Sequence, residues 1–89
     1  MAVPGPYRYR PDVLAAAARH GIAPKPTTPP ELARGFVRDL YKYEIRRLRE
    51  GYLRREFAKF EYATKVETLR RKYGVLALVP DQWVTTGDG

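Results

Sequence analysis

TPPELARGFVRDLYKYEIRRLREGYLRREFAKFEYATKVETLRRKY, residues Thr28–Tyr73, carries two helical patterns separated by a short break. It opens on Thr28-Pro29-Pro30-Glu31. Here Thr28 is the expected N-cap, Pro29 the first helical residue and Glu31 the capping-box partner three positions on. At 100° per residue, Leu32, Ala33, Phe36, Val37, Leu40, Tyr41, Tyr43 and Leu48 gather on one side, a face broader than a two-helix seam requires. Gly35 falls within this helix, and its expected use is the close approach of another backbone. Glu44 and Arg47 lie on the same face at i, i+3, either as an ion pair at the rim of the core or as groups aimed at a partner.

Two endings of this helix are open. It stops at Gly51, or it passes through Gly51 and turns near Arg55–Ala58. The order Glu50–Arg54, favourable at i, i+4, supports the later turn. In the second pattern Tyr62, Val66, Leu69 and Tyr73 recur at +4, +3, +4, a narrow coiled-coil-like seam. Phe57 and Phe60 stand at its entrance, Glu61–Lys65 and Glu67–Arg71 form i, i+4 pairs on its wet side, and Gly74 ends it. The seam is expected to pack against Phe36, Leu40, Tyr43 and Leu48. Together these patterns predict an all-α fold, an antiparallel helical hairpin of about residues 29–54 and 59–73.

Outward from the hairpin the signals shorten. Seven of the eight prolines lie in the first thirty residues, so Met1–Pro11 is expected to be extended. Asp12–His20 reads as a short helix with Asp12 as N-cap and four alanines for propensity. Gly21 and Ile22 suit a Schellman ending, and Pro24 forbids continuation. Nine residues are too few for an isolated helix in water, so this one must dock, through Val13, Leu14 and Ala17. After the second long helix, Val75–Val79 (VLALV) is a short apolar run between Gly74 and Pro80, expected as a buried extended segment with no partner strand in the chain. The organisation is thus a Pro-rich arm with a short helix (1–27), the hairpin (28–73) and an extended C-terminal arm (74–89).

The chain has 89 residues, which allows one thin-cored domain. It has no cysteine and a single histidine, His20, which excludes disulfides and thiolate or multi-histidine metal sites within the chain. His20, in the last turn of the short helix, is expected to answer its dipole. No serine is present, and no threonine stands in a recognisable nucleophile context. No Gly-rich phosphate loop appears. The expectation is a non-catalytic protein with no cofactor or metal. No stretch approaches the ~20 apolar residues of a membrane span, and the N-terminus does not read as a signal peptide. A cytoplasmic location is expected.

Lys and Arg number 17 against 10 Asp and Glu, a formal net charge of +7, and arginine outnumbers lysine twelve to five. Such a surplus points to an acidic partner, and arginine favours planar carboxylate or phosphate contacts. From Leu48 to Leu69 (LREGYLRREFAKFEYATKVETL) the chain resembles the SHOCT family of short helical hairpins. Phe57 stands at the family's isoleucine place, and Glu61, Tyr62, Lys65 and Leu69 match its acidic, aromatic, basic and leucine places. Arg55 replaces the usual turn glycine and Ala58 the capping threonine. The resemblance implies a hairpin and a role in oligomerisation or other interactions.

Two function classes follow. The first is an accessory subunit docking on a larger protein or multisubunit complex, with Phe36, Val37, Tyr41, Glu44, Arg47, Val75, Leu76, Leu78 and Trp83 as partner-binding residues. Trp83 is its expected anchor, since tryptophan is enriched at interface hot spots. The second is nucleic-acid binding, RNA or DNA, through Arg46, Arg49, Arg54, Arg55, Arg70, Arg71 and Lys72. A homo-oligomer would also cover the broad face of the first helix. A membrane surface is the least expected partner.

Overall fold

The computed structural model describes residues 6–85. It is mostly helical, with α1 (Pro11–Ala18), α2 (Pro30–Leu53) and α3 (Lys59–Lys72). Two 3₁₀ turns follow, Gly74–Ala77 and Pro80–Gln82. The all-α expectation needs one correction. Strand β1 (Arg8–Tyr9) pairs antiparallel with β2 (Val84–Thr85), with Arg8 opposite Thr85 and Tyr9 opposite Val84. Residues 1–5 of the expected N-terminal arm and 86–89 of the C-terminal arm lie outside the described residues.

Helix α2 does run through Gly51, with the Glu50–Arg54 pair at 3.6 Å. It closes in a Schellman motif. The Glu56 amide donates to the Gly51 carbonyl and the Arg55 amide to the Tyr52 carbonyl. Arg55 holds the left-handed position with φ 60°. The ending of α1 is built the same way: Gly21 has φ 76°, Ile22 N–H donates to Ala17 O, and Gly21 N–H to Ala18 O. Both N-caps differ from expectation. The Thr28 hydroxyl accepts from the Lys25 amide inside its own turn, so Pro29 occupies the N-cap of α2 without a side-chain acceptor. Helix α1 begins at Pro11, and Asp12 binds the Arg10 guanidinium at 2.7 Å and the Val13 amide.

The core is Val13, Ala33, Val37, Leu69, Tyr73 and Trp83, gathered where α1 and the C-terminal segment meet the base of the hairpin. Val13 and Ala17 dock α1 as expected, while Leu14 faces out. Trp83 is fully buried. This overturns its place as a surface anchor, because its ring fills the core and its Nε1–H donates to Leu78 O at 3.3 Å. Val75–Val79 is not a strand. Gly74–Ala77 coils into a 3₁₀ turn, and Val75, Leu76 and Leu78 pack on the core. Their carbonyls are satisfied within the chain: Arg34 Nη2 donates to Leu76 O at 2.7 Å and Nε to Leu78 O at 2.9 Å. The N-terminal strand is tied in by Arg10, whose amide donates to Trp83 O and whose guanidinium donates to Gln82 O, both at 3.0 Å. The two arms therefore close one small head around Trp83 instead of extending away from it.

Beyond that head the hairpin continues alone. The radius of gyration is 16.0 Å, with extents of 51 × 22 × 19 Å. A compact domain of this length has about 12 Å, so the far half of α2 and α3 is a projecting arm.

Candidate functional site

The arm is held together by a narrow apolar seam. Leu40, Tyr41, Ile45 and Leu48 of α2 pack on the core side with Leu69 and Tyr73 of α3. Phe36 and Tyr43, expected in this seam, are about half exposed. They stand at the edge of the inner face of α2, and Ile45 packs on the core instead. Near the tip, the Tyr52 and Tyr62 rings stack at 4.6 Å, with Phe57 parallel to Tyr62 at 6.4 Å. Gly51 is the close-approach glycine: a methyl group there would stand 3.0 Å from the Phe57 ring and from Glu56 Oε1. Gly35, given that role from the sequence, faces only the end of Arg38 at 3.7 Å. With these contacts made, Leu53 is left 66% exposed and Phe60 75% exposed at the far end of the arm.

A polar cluster joins the arm to the head. The Tyr73 hydroxyl donates to Glu44 Oε2, and Lys72 Nζ lies 3.3 Å from the same oxygen. The expected Glu44–Arg47 pair does not form. Arg47 lies over the Tyr43 ring at 5.8 Å, and Glu44 turns to α3. Burial works against the Glu44 charge, but hydrogen bonds from Tyr73 and Lys72 outweigh it and hold its carboxyl below the usual value. Burial, and then the Glu44 contact, push the Tyr73 phenol well above its ordinary value. His20 lies past the end of α1, stacked on Tyr73, and its Nε2 reaches Lys72 O at 3.1 Å. It links α1 to α3 rather than answering its own helix. Burial pushes its imidazole down, against a smaller opposing effect of the Lys72 carbonyl.

The sequence-predicted partner residues therefore separate. Val37 is buried, Tyr41, Val75, Leu76 and Leu78 are packed on the core, and Trp83 is inside it. Phe36 and Arg47 remain exposed, and Glu44 is engaged in the polar cluster. The cationic set stays at the surface: Arg46, Arg49, Arg54, Arg55, Arg70, Arg71 and Lys72 are all exposed. Arg54 is shared between Glu50 and Glu56, and Lys72 is held by Glu44. The expected Glu61–Lys65 and Glu67–Arg71 pairs are absent among the described residues. The Glu61 carboxylate instead reaches back to the Ala58 amide at 2.8 Å, capping α3. Arg34 and Ile45, both structural, were missed. Arg34 gives no periodic signal because its partners are carbonyls more than 40 residues away.

One side of the hairpin brings Glu44, Arg47 and Lys65 around a shallow hollow floored by Leu48 and Phe57. On the other, Arg70 of α3 lies across a hollow from Tyr41 of α2. On α2, Arg38, Lys42, Arg46 and Arg49 recur at 4, 4 and 3 residues. Glu50 follows Arg46 at i+4 and Asp39 precedes Lys42 at i−3, so carboxylates share their face of the helix. Asp39 lies beside Arg38 at 3.8 Å, and Glu50 is held by Arg54.

Among the described residues no group of three or more His, Asp or Glu is placed to hold a metal ion. No helix among them is long and apolar enough to cross a membrane. No family model matches the chain, and comparison with curated proteins and with solved structures returned no match.

Proposed function

We propose that this protein is a small, non-catalytic interaction subunit that docks on a larger protein or multisubunit complex through its hairpin arm. The observation that carries this reading is the pair of exposed apolar side chains at the arm's free end, Leu53 and Phe60. The aromatic stack next to them is complete without them, so their exposure serves no internal packing. Large apolar residues held out on a rigid element are the usual anchors of a docking surface. The head supports the reading in a second way. Its core is closed by Arg8–Arg10 and the segment 80–85, so it acts as a base that fixes the arm's direction. The absence of cysteine fits a reducing compartment such as the cytoplasm.

The test compares wild type with a Leu53→Ser/Phe60→Ser variant as bait in nuclease-treated native lysate. A protein retained by wild type at 0.5 M salt and lost by the variant supports docking through the tip. Equal retention by both would remove the tip from the interface.

A further inference from the structure

We propose that two adjoining hollows on the arm bind a short acidic segment of the partner protein, with its carboxylates bracketing a large apolar side chain. This rests on the arm being the docking element and names the chemistry of what it docks on. Tyr52, Leu53, Arg55, Phe57 and Ala58 line a hollow of about 590 Å³ at the tip. Glu44, Arg47, Leu48, Phe57 and Lys65 line a second, of about 280 Å³. Phe57 lines both, so the two adjoin at that side chain. The floor is apolar: Leu48, Tyr52 and Phe57 are half-buried, and Leu53 is exposed at the tip. Three exposed cations edge it, Arg47 and Lys65 on the second hollow and Arg55 on the first.

The charge of the partner follows from which groups are already engaged. Every carboxylate between residues 44 and 61 has a partner within the chain. Glu44 is held by the Tyr73 hydroxyl and Lys72, Glu50 and Glu56 by Arg54, and Glu61 by the Ala58 amide. Arg47, Arg55 and Lys65 form no ion pair among the described residues. Arg47 lies over the Tyr43 ring at 5.8 Å and Lys65 over the Phe57 ring at 5.4 Å, which holds both charges at the edge of the floor. An apolar floor edged with uncompensated cations complements an apolar side chain flanked by carboxylates. The spacing follows too. Arg47 and Arg55 are eight residues apart in sequence, about 12 Å at the helical rise. An extended segment covers that distance in about four residues at roughly 3.3 Å each.

A nucleic-acid strand is the poorer match. It carries a phosphate at every nucleotide and would meet Glu44, Glu50 and Glu56 as well as the cations, whereas a peptide carries carboxylates only at chosen positions. The exposed rings of Tyr43 and Phe60, on which bases would stack, line neither hollow. Leu53, which lines the larger one, offers no stacking face. A second copy of the chain is opposed by the net charge of +7 that each copy carries.

The experiment selects a phage-displayed library of random 12-residue peptides on the full chain, then measures the most enriched peptide by fluorescence anisotropy. The enriched sequences should place aspartate or glutamate on both sides of a large apolar residue, about four positions apart. Arg47→Gln/Arg55→Gln/Lys65→Gln, all exposed positions, should keep its circular dichroism and bind that peptide about tenfold more weakly. Lys42→Gln/Arg46→Gln/Arg49→Gln removes the same charge from exposed positions that line neither hollow, and should change affinity by less than about twofold. No enrichment, enrichment of sequences without acidic residues, or an equal loss in the two variants would overturn the proposal. So would tighter binding of a 20-nucleotide oligo-deoxythymidine or of phosphatidylserine vesicles, or dimerisation in light scattering that the first variant abolishes. Capture from lysate at 0.15 M salt separates this proposal from tip docking. A protein lost by Leu53→Ser/Phe60→Ser but retained in full by Arg47→Gln/Arg55→Gln/Lys65→Gln would overturn the acidic segment and leave tip docking standing.

Discussion

The imidazole of His20 lies parallel on the ring of Tyr73, 4.1 Å between centroids and 11° between planes, and this stack fastens α1 to the base of the arm. Burial pushes the His20 pKa down, and the facing groups Lys72, Glu44 and Arg19 modify it less. Unfolded, the ring titrates near about 6.5. As pH falls through that value the unfolded chain takes up its proton first. The contribution of His20 is therefore intact above about 6.5 and is lost on the way down to the folded pKa. Glu44 acts lower still: its depressed pKa stabilises above its ordinary value, and that part is lost as pH falls through the folded pKa. An NMR titration should place His20 below 6.5, and His20→Gln should abolish the drop in melting temperature between pH 7 and pH 5.5. A His20 pKa at or above 6.5 would contradict the buried stack.

Trp83 should behave as a core residue. Trp83→Ala removes the largest fully buried side chain and should cost about 3–5 kcal/mol. Helix content should fall with it, because α1, the C-terminal turns and the base of α2 meet around that ring. Circular dichroism with a urea melt reads both. A variant with native helicity and unchanged stability would return Trp83 to the surface role that the sequence suggested.

That reversal shows where the sequence was legible. The hairpin, its passage through Gly51, the Schellman turn at Gly21 and the buried place of Leu69 all follow from local periodicity and turn chemistry, which need only neighbours in the chain. The fate of the two ends did not. A tail such as Val75–Trp83 reads as unpartnered because its partners, Arg34 and Arg10, are charged residues far away in sequence, and guanidinium-to-carbonyl bonds leave no hydrophobic pattern. The cationic site was legible as composition. Which of its cations are held by carboxylates, as Arg54 and Lys72 are, required the hairpin's geometry.

The arm's glycines and its left-handed arginine should separate by sign. Gly35→Ala has room and should stabilise by up to about 1 kcal/mol through helix propensity. Gly51→Ala gains the same propensity but pushes its methyl group against Phe57, which is pinned by the stack on Tyr62. Overpacking of that kind costs about 1–3 kcal/mol, so the net effect should be destabilising. Arg55→Gly relieves the left-handed strain and should stabilise by about 1 kcal/mol. Thermal melts of the three variants give the order directly. A stabilised Gly51→Ala would mean that Phe57 does not close on α2.

That the arm is the part that meets a partner is tested directly by site-specific photo-crosslinking in cells. A crosslinking side chain is placed at Phe60 and at Leu53 on the arm's tip, and at the exposed Leu14 and Lys25 on the head. Discrete adducts are expected from Phe60 and Leu53 and none from Leu14 or Lys25. Adducts from the head positions with none from the arm would contradict it.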